Sequence, residues 1–198
     1  RGWEQQRIAA LYALARGGQQ VVVATADALL QHSIPPQVLR DTAFSLELGG
    51  RASLKDLSQR LTAAGYSRAQ QVEGVGQFAL RGGILDVFSP LMDQPVRCEF
   101  FDDEIDSMGT FDPGTQRRTK NVTSAQILPA AEVLAHCAPG GLTGLGERLE
   151  ALAEKLAKKP KTEKTAQQLR QDAEHFRTGA VPGGLDRYLA AVYPEVCT

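Results

Sequence analysis

Cysteine is scarce in this sequence, and the few that occur form no recognisable framework. Cys98, Cys137 and Cys197 are odd in number and far apart. Structural zinc sites need clustered ligands and disulfide scaffolds need paired cysteines, so the spacing excludes both classes. We interpret the three as reduced thiols, with Cys98 a small residue of the core.

An excess of charge of one sign and long apolar runs are also lacking. Lysine and arginine total 22 residues against 23 aspartates and glutamates, whereas a dedicated nucleic-acid-binding module usually carries a basic excess. No apolar run approaches the roughly 20 residues that span a bilayer, and no secretory signal pattern opens the chain. We therefore expect a cytoplasmic protein that does not contact a membrane.

Motifs that bind phosphate or metal are missing as well. The glycines of the run 74–83 lie on both sides of a predicted strand. In a phosphate loop the glycines instead follow a strand and begin a helix. The acidic cluster Asp102, Asp103, Glu104 and Asp106 could ligate a divalent cation through its carboxylates. It lacks the glycine and the final glutamate of an EF-hand, so we interpret it as a solvated hairpin turn. We expect neither a metal nor a cofactor in this chain.

Catalytic constellations are equally absent from the sequence. His32, His136 and His175 lie in unrelated segments, and no serine or cysteine has the context of a known nucleophile. The lysine-rich tract 158–164 could contact nucleic acid, but it is short and contains Glu163, so a solvated hairpin tip is favoured. We expect no catalytic residue and no enzyme activity from this chain.

The composition that remains is that of an ordinary globular protein. Hydrophobic residues make up 42% and charged residues 23%, which allows one good core or two small ones. The sequence begins at Arg1 in the middle of a helical pattern and without a methionine. We interpret it as an excerpt from a longer protein.

The most informative stretch is residues 77–118. Its patterns predict a strand at 77–81, a bend or bulge at Gly82-Gly83, and further strands at 84–88, 96–101 and 104–110. Asp102-Asp103 is a candidate hairpin turn between the last two strands. Pro113-Gly114 has the residue order of a type II turn. These elements predict a curved, mainly antiparallel sheet.

One strand of this sheet has an unusual polar face. Strand side chains alternate with period two, so Val96, Cys98 and Phe100 suit a core. The opposite face then carries Arg97, Glu99 and Phe101. Arg81 lies on the polar phase of its own strand and joins this face if the two strands pair. Two interpretations stay open: a docking surface, since arginine and aromatic residues are enriched at binding hot spots, or a plain edge strand. On a plain edge, Arg97 and Glu99 would compensate each other and a helix would cover Phe101.

Two further elements complete the predicted central module. Residues 44–48 alternate as a half-buried strand, and residues 126–128 form a last short strand. Leu54, Leu57, Leu61 and Ala64 recur at spacings of three and four, which predicts an amphipathic helix. Ser53 is its candidate N-cap, and a glycine follows its end. We expect this helix to lie on the sheet.

The two ends of the chain predict mostly helices. A helix at 3–16 precedes a buried strand at 20–24 (QVVVA) and a short helix capped by Thr25 or Asp27. Another short helix follows Pro35-Pro36. Leucines at 142, 145, 149, 152 and 156 and a second apolar stripe at 166–176 predict an antiparallel helical hairpin. A third helical stripe begins at Leu185.

Several strings of residues resemble one bacterial family. RGGILDVF at 81–88, PVRCEFFDDEIDS at 95–107, FDPGTQRR at 111–118 and ILPA at 127–130 resemble the transcription-repair coupling factors (Mfd), and more loosely the excision-repair protein UvrB. The resemblance is strong over 44–129, weak over 3–43 and only positional beyond residue 130. It implies a UvrB-type interaction domain that docks onto the repair ATPase UvrA and is inserted in an α/β domain.

The resemblance also implies which residues contact the partner. The positions that match the family's UvrA contacts are Arg81, Arg97 and Phe101. Glu99 lies on the same face of its strand and is added from the alternation of the side chains. Asp102 stands where the family often has glycine, and Cys98 where it commonly has an aliphatic residue. Both departures fall at predicted turn and core positions, outside the predicted docking set.

The family further implies a role for the intact protein. It would recruit UvrA to RNA polymerase stalled at DNA damage, and its own C-terminal domain would cover the docking face at rest. RNA polymerase and DNA would be contacted only by domains outside this chain. ATP and Mg²⁺ would serve a DNA translocase in those later domains, while the nucleotide-binding motifs of this N-terminal region are degenerate.

Together these features predict an α/β fold with an α+β insert. Residues 44–129 form the UvrA-interaction module, and residues 1–43 and 130–198 form a partial parallel α/β layer with a C-terminal helical hairpin. Arg97→Ala or Phe101→Ala should each cost about 1–3 kcal/mol of UvrA binding with the fold intact. The alternatives are a fragment of a UvrB-like ATP-dependent DNA helicase and a purely structural scaffold.

Overall fold

The computed structural model describes residues 2–18 and 21–195, which form two compact units. The first unit holds the start of the chain to Val22 and Pro36–Glu132, and the second holds Val23–Pro35 and the chain from Val133. The predicted fold class is confirmed, since helices and mainly antiparallel sheets are mixed and a helical hairpin follows them. The division into segments 1–43, 44–129 and 130–198 stays a prediction.

The strands of the first unit form a six-stranded and a two-stranded sheet. In chain order they are β1 (Phe44–Glu47), β2 (Ser67–Arg68), β3 (Gln77–Arg81), β4 (Ile84–Val87), β5 (Val96–Phe101), β6 (Glu104–Phe111), β7 (Arg118–Asn121) and β8 (Ser124–Ile127). β1 pairs with β8, and β2 to β7 lie side by side in sequential order. Only the β2–β3 pair is parallel among these strands.

The predicted bend at Gly82-Gly83 is wrong, because the chain reverses there completely. Arg81 faces Ile84 across an antiparallel pair, which leaves the two glycines as the whole turn. Gly82 has φ +59°, a conformation that glycine adopts without steric cost. β4 is therefore a separate strand between β3 and β5, so the two predicted arginine strands are neighbours of β4 and not of each other.

The helices are, in chain order, α1 (Gly2–Ala15), α2 (Ala26–Leu30), α3 (Pro36–Thr42), α4 (Leu54–Ala63), α5 (Gly141–Ala157), α6 (Glu163–Arg177) and α7 (Leu189–Val192). In α4 the prediction is confirmed: the Ser53 hydroxyl accepts a hydrogen bond of 3.1 Å from the Asp56 N–H and caps the first turn. Leu57 and Leu61 of α4 are buried in one core with Phe78, Leu85 and other inward residues of the sheet. This core lies on one face of the sheet, and a smaller buried cluster of Val72, Ala79, Phe88 and Phe111 lies on the opposite side.

Cys98 is a fully buried member of that core, as predicted. Burial raises the pKa of its thiol to about 12, so almost none of it is thiolate at pH 8. Cys137 is exposed. We expect iodoacetamide at pH 8 to alkylate Cys137 in the native protein while Cys98 stays unmodified, and peptide mass mapping reports the two sites separately. Labelling in urea is the control, and equal native rates at both residues would contradict the buried position of Cys98.

The prediction of a buried strand at 20–24 is wrong over its described part, residues 21–24. These residues form no strand, and the side chains of Val21 and Val23 are each 95% exposed. A β-branched run becomes a buried strand only when neighbouring strands satisfy its backbone, and no described strand pairs with this one. Gln20 lies outside the described residues.

The predicted first helix is observed as α1. Gln5, Ile8 and Tyr12 of α1 are buried, whereas Trp3 is exposed. α2 begins after Thr25, whose hydroxyl accepts a hydrogen bond of 3.2 Å from the Ala28 N–H. The open choice of cap is thereby settled as Thr25.

The second unit is built around the hairpin of α5 and α6. Their apolar stripes meet along a seam that includes Leu145, Leu149, Leu169 and Phe176. The predicted third stripe is a short 3-10 helix, Leu185–Tyr188, which leads into α7. Within residues 2–18 and 21–195, no helix has both the length and the apolar character that crossing a membrane requires.

Candidate partner-docking face

The candidate site is the face of the six-stranded sheet opposite α4, which we name the outer face. It carries Ala79, Arg81, Ile84, Asp86, Arg97, Glu99, Phe101, Ser107 and Gly109. Strand register arranges these residues in rows across the sheet. Asp86 of β4 lies directly opposite Arg97 of β5, and Ile84 lies between Arg81 and Glu99. The structure therefore brings all four predicted site residues onto one face.

Asp86 is the centre of this face, although the sequence patterns did not identify it. Its carboxylate is fully buried and accepts three charged hydrogen bonds. Arg97 donates two of them, Nε to Oδ1 at 2.7 Å and Nη2 to Oδ2 at 2.8 Å, and Arg81 donates the third from Nη2 to Oδ2 at 2.7 Å. A buried carboxylate is costly unless it is paired, so the two guanidinium groups are what makes this position tolerable.

Arg97 is held from several sides. Only 19% of its side chain is exposed. Its guanidinium carbon lies 4.5 Å from the centre of the Phe111 ring, a cation–π contact, and hydrogen bonding to Asp86 raises the pKa of Arg97. The plain interpretation of this face, in which Arg97 and Glu99 compensate each other on an edge strand, is wrong because Arg97 pairs with Asp86 and β5 lies inside the sheet.

Gln116 closes the remaining side of Arg97. Its backbone oxygen and its Oε1 accept hydrogen bonds of 3.4 Å and 3.3 Å from the two Nη atoms of Arg97. Its own Nε2 donates to the carbonyl oxygens of Val72 at 3.1 Å and Pro113 at 2.8 Å. Gln116 thus links the loops at Val72 and Pro113 to the buried ion pair through hydrogen bonds.

The turn before Gln116 differs from the predicted type II turn. A type II turn would place Gly114 at positive φ, but the residue with positive φ in this loop is Gln116, at +60°. Asp112 shapes the loop instead, because its Oδ1 accepts a hydrogen bond of 2.7 Å from the Thr115 N–H. That backbone bond lowers the pKa of Asp112.

Glu99 faces Arg118 of β7, a strand that the sequence did not predict. The distance from Arg118 Nη1 to Glu99 Oε1 is 3.8 Å, and both Nη atoms of Arg118 donate to the Ser107 hydroxyl at 2.9 Å. The Arg118 side chain crosses directly over Gly109, where an added Cβ would lie 2.1 Å from its Nε. Arg118 is thus a neighbour of the predicted docking residues. The only sequence signal for it was its place at the end of the string FDPGTQRR.

Phe101 is the one large apolar side chain of the outer face that is strongly exposed, at 75%. It ends β5, where the predicted hairpin turn Asp102-Asp103 is confirmed by the pairing of Phe101 with Glu104. Asp102 has φ +52°, which aspartate tolerates better than most residues. The alternative in which a helix covers Phe101 is wrong for the described part of the chain.

These contacts define what the outer face can do chemically. Among the residues that the structure describes, no cluster of three or more histidine, cysteine or acidic side chains could hold a metal ion. Arg81 is 44% exposed, and Phe101 is exposed at the end of β5. A polar surface with one exposed ring has the composition of a protein-docking surface.

Comparisons with known proteins agree with this interpretation. The family model described as the UvrB interaction domain matches residues 44–133. The transcription-repair-coupling factor of Myxococcus xanthus is 40% identical over 130 residues, which are 65% of this chain and 11% of that protein. The Bacillus subtilis factor is 30% identical over 194 residues, 96% of this chain and 16% of that protein. The Escherichia coli factor is 36% identical over 126 residues, 64% of this chain and 11% of that protein.

The chain thus spans between about a tenth and a sixth of the length of these relatives. The matches confirm the family resemblance carried by the strings at 81–88, 95–107 and 111–118. Residues 44–133 therefore match the UvrB interaction domain, and the chain is similar to a segment of the transcription-repair-coupling factors.

Proposed function

We propose that the outer face docks UvrA through Phe101 and Arg81, supported by Arg97 and Glu99. The observation that carries the proposal is the exposure of Phe101, 75% of whose surface is free on a face where the neighbouring charges are paired internally. Exposed aromatic rings next to arginine are the composition of binding hot spots. The match to the UvrB interaction domain supports UvrA as the kind of partner, because the family resemblance implies docking onto UvrA.

The internal contacts of the two arginines support the same conclusion. Arg97 and Arg81 are anchored on the buried Asp86. Ordering mobile side chains on binding costs about 0.5–1.5 kcal/mol each. Side chains that are already held avoid part of that cost, so a small set of residues can supply useful affinity.

In the whole protein we propose that this docking recruits UvrA to RNA polymerase stalled at DNA damage in the bacterial cytoplasm. RNA polymerase, DNA, ATP and Mg²⁺ would be bound by domains outside this chain, which include a DNA translocase. Docking itself would need no cofactor from the residues described. The C-terminal domain of the same protein would cover the outer face at rest.

A titration of purified UvrA with this chain tests the proposal, with isothermal calorimetry as the measurement. We expect saturable binding, and we expect the chain alone to hydrolyse no ATP. Leu152→Ala is a matched control, because Leu152 is an exposed apolar residue of the helical hairpin and its loss should leave the affinity unchanged. Absence of binding to UvrA would overturn the proposal, and ATP hydrolysis by the chain would favour a helicase fragment instead.

A further inference from the structure

A glycine, Gly109, lies inside β6 on the outer face. Glycine in the interior of a strand weakens the strand, because it packs no side chain and loses more backbone entropy on folding. The backbone does not require glycine here, since Gly109 does not have a positive φ. A close neighbour does require it: an added Cβ would lie 2.1 Å from Nε of Arg118 and 2.8 Å from its Cζ. Gly109 therefore leaves the space that the Arg118 guanidinium occupies.

The Arg118 guanidinium lies beside two of the predicted docking residues. Gly109 is the direct cross-strand neighbour of Arg97, and Ser107 is that of Glu99. Arg118 spans both rows, because it covers Gly109 and donates from both Nη atoms to the Ser107 hydroxyl at 2.9 Å. The predicted docking residues are thus continuous, across β6, with a side chain that comes from β7.

Arg118 keeps several hydrogen-bond donors for a partner. A guanidinium group has five N–H donors, and among the described residues the Ser107 hydroxyl accepts two of them. The distance to Glu99 Oε1, 3.8 Å, is longer than a hydrogen bond, and the Arg118 side chain is 36% exposed. Three donors of a planar group, held flat on the sheet, therefore remain available.

We infer that Arg118 is a further docking residue, which binds an acidic side chain of the partner at the β7 side of the outer face. This inference rests on the proposed function and adds a contact to those of Arg81, Arg97 and Phe101. The docking surface would then extend from β3 across the sheet to β7.

The charges around Arg118 favour an acidic group of the partner. Asp86 is one buried carboxylate bonded to both Arg81 and Arg97, and Glu99 is one carboxylate beside Arg118. Three arginines thus face two carboxylates, and complementary charge across an interface favours the right partner. The pair of Glu99 and Arg118 is long and exposed, so turning Arg118 donors toward a partner costs little.

Gly109→Ala tests the inference without removing a charge. The new methyl group would take the place of Arg118 Nε, and the long arginine side chain can move aside while the strand stays in place. Alanine at a compatible φ also restricts the unfolded chain, so the thermal melt should not fall. We expect the affinity for purified UvrA, measured by calorimetric titration, to drop about fivefold or more.

A double-mutant cycle in the 198-residue chain shows whether Gly109 acts through Arg118. We expect Arg118→Ala to weaken UvrA binding about fivefold or more, and the double variant to bind about as weakly as Arg118→Ala alone. If Gly109→Ala multiplies the loss of Arg118→Ala, the alanine acts on the strand itself and the inference is wrong. An affinity within about twofold of the unaltered chain for folded Arg118→Ala would also overturn it.

Lys120→Ala is the matched control, because Lys120 is an exposed cation of the same strand. It pairs with Thr110, which follows Gly109 in β6 and therefore lies on the opposite face of the sheet. We expect this variant to bind UvrA within about twofold of the unaltered chain. A loss equal to that of Arg118→Ala would mean that β7 only adds general positive charge, which contradicts a specific contact at Arg118.

The two levels of proposal fail in different ways. If Phe101→Ala, Arg81→Ala and Arg118→Ala all leave the affinity unchanged, the outer face is not the docking surface and the proposed function is wrong. If Phe101→Ala and Arg81→Ala weaken binding while Arg118→Ala does not, only the extension of the docking surface to β7 is wrong.

Discussion

Phe101→Ala should weaken UvrA binding by about 1–3 kcal/mol, a loss of roughly five- to 150-fold in affinity, while the fold stays intact. The ring is 75% exposed at the end of β5 and is absent from both core clusters. Its removal therefore takes a large apolar anchor from the interface without opening a cavity. Calorimetric titration gives the affinity, and a thermal melt gives the stability, which should shift by no more than about 0.5 kcal/mol.

The same titration with Leu152→Ala separates the loss of this ring from the loss of any exposed apolar residue. Leu152 is also partly exposed, but it belongs to the helical hairpin of the second unit. Equal affinities for Phe101→Ala and the unaltered chain, with both proteins folded, would remove Phe101 from the docking set.

Arg97→Ala should lower the free energy of unfolding by about 3 kcal/mol, because it strips two of three charged hydrogen bonds from a buried carboxylate. The sequence patterns predicted a fold-neutral substitution, since they placed Arg97 on a solvent-facing side. The structure shows why that expectation must change: the side chain is 19% exposed and stabilises Asp86. Urea denaturation monitored by circular dichroism measures the difference.

Arg118→Ala is the control for this experiment. Arg118 also carries a positive charge on the outer side of the sheet, but its ion pair with Glu99 is long, at 3.8 Å, and solvent-exposed. Such pairs contribute about 0–1 kcal/mol. If Arg97→Ala and Arg118→Ala had equal, small effects on stability, the buried ion pair would not be important for the fold.

The faces of single elements could be predicted from the sequence because they depend on local periodicity. Alternation placed Cys98 in the core and Phe101 outside it, and the spacing of Leu57 and Leu61 located the buried side of α4. The strings shared with the family then indicated the kind of partner, which side-chain periodicity alone does not reveal. These are properties of a residue and its close neighbours in the chain.

The partner of each charged side chain could not be predicted, because it depends on which strands lie next to each other. In the plain-edge alternative Arg97 and Glu99 compensated each other, but the Gly82-Gly83 turn inserts β4 and brings Asp86 beside Arg97. β7 has no apolar alternation and forms on the open edge of β6 through backbone pairing. Conversely, the apolar residues at 21–24 have the composition of a strand but no described neighbour to pair with.

The two-residue turn at Gly82-Gly83 therefore sets more than the path of the chain. Its length fixes the register of β4 against β3, and a slip of one residue would turn Leu85 outward and Asp86 into the apolar core. Both arginines would lose their common anchor in the same event. We therefore expect insertions in this loop to weaken partner binding, although the loop lies outside the predicted docking set.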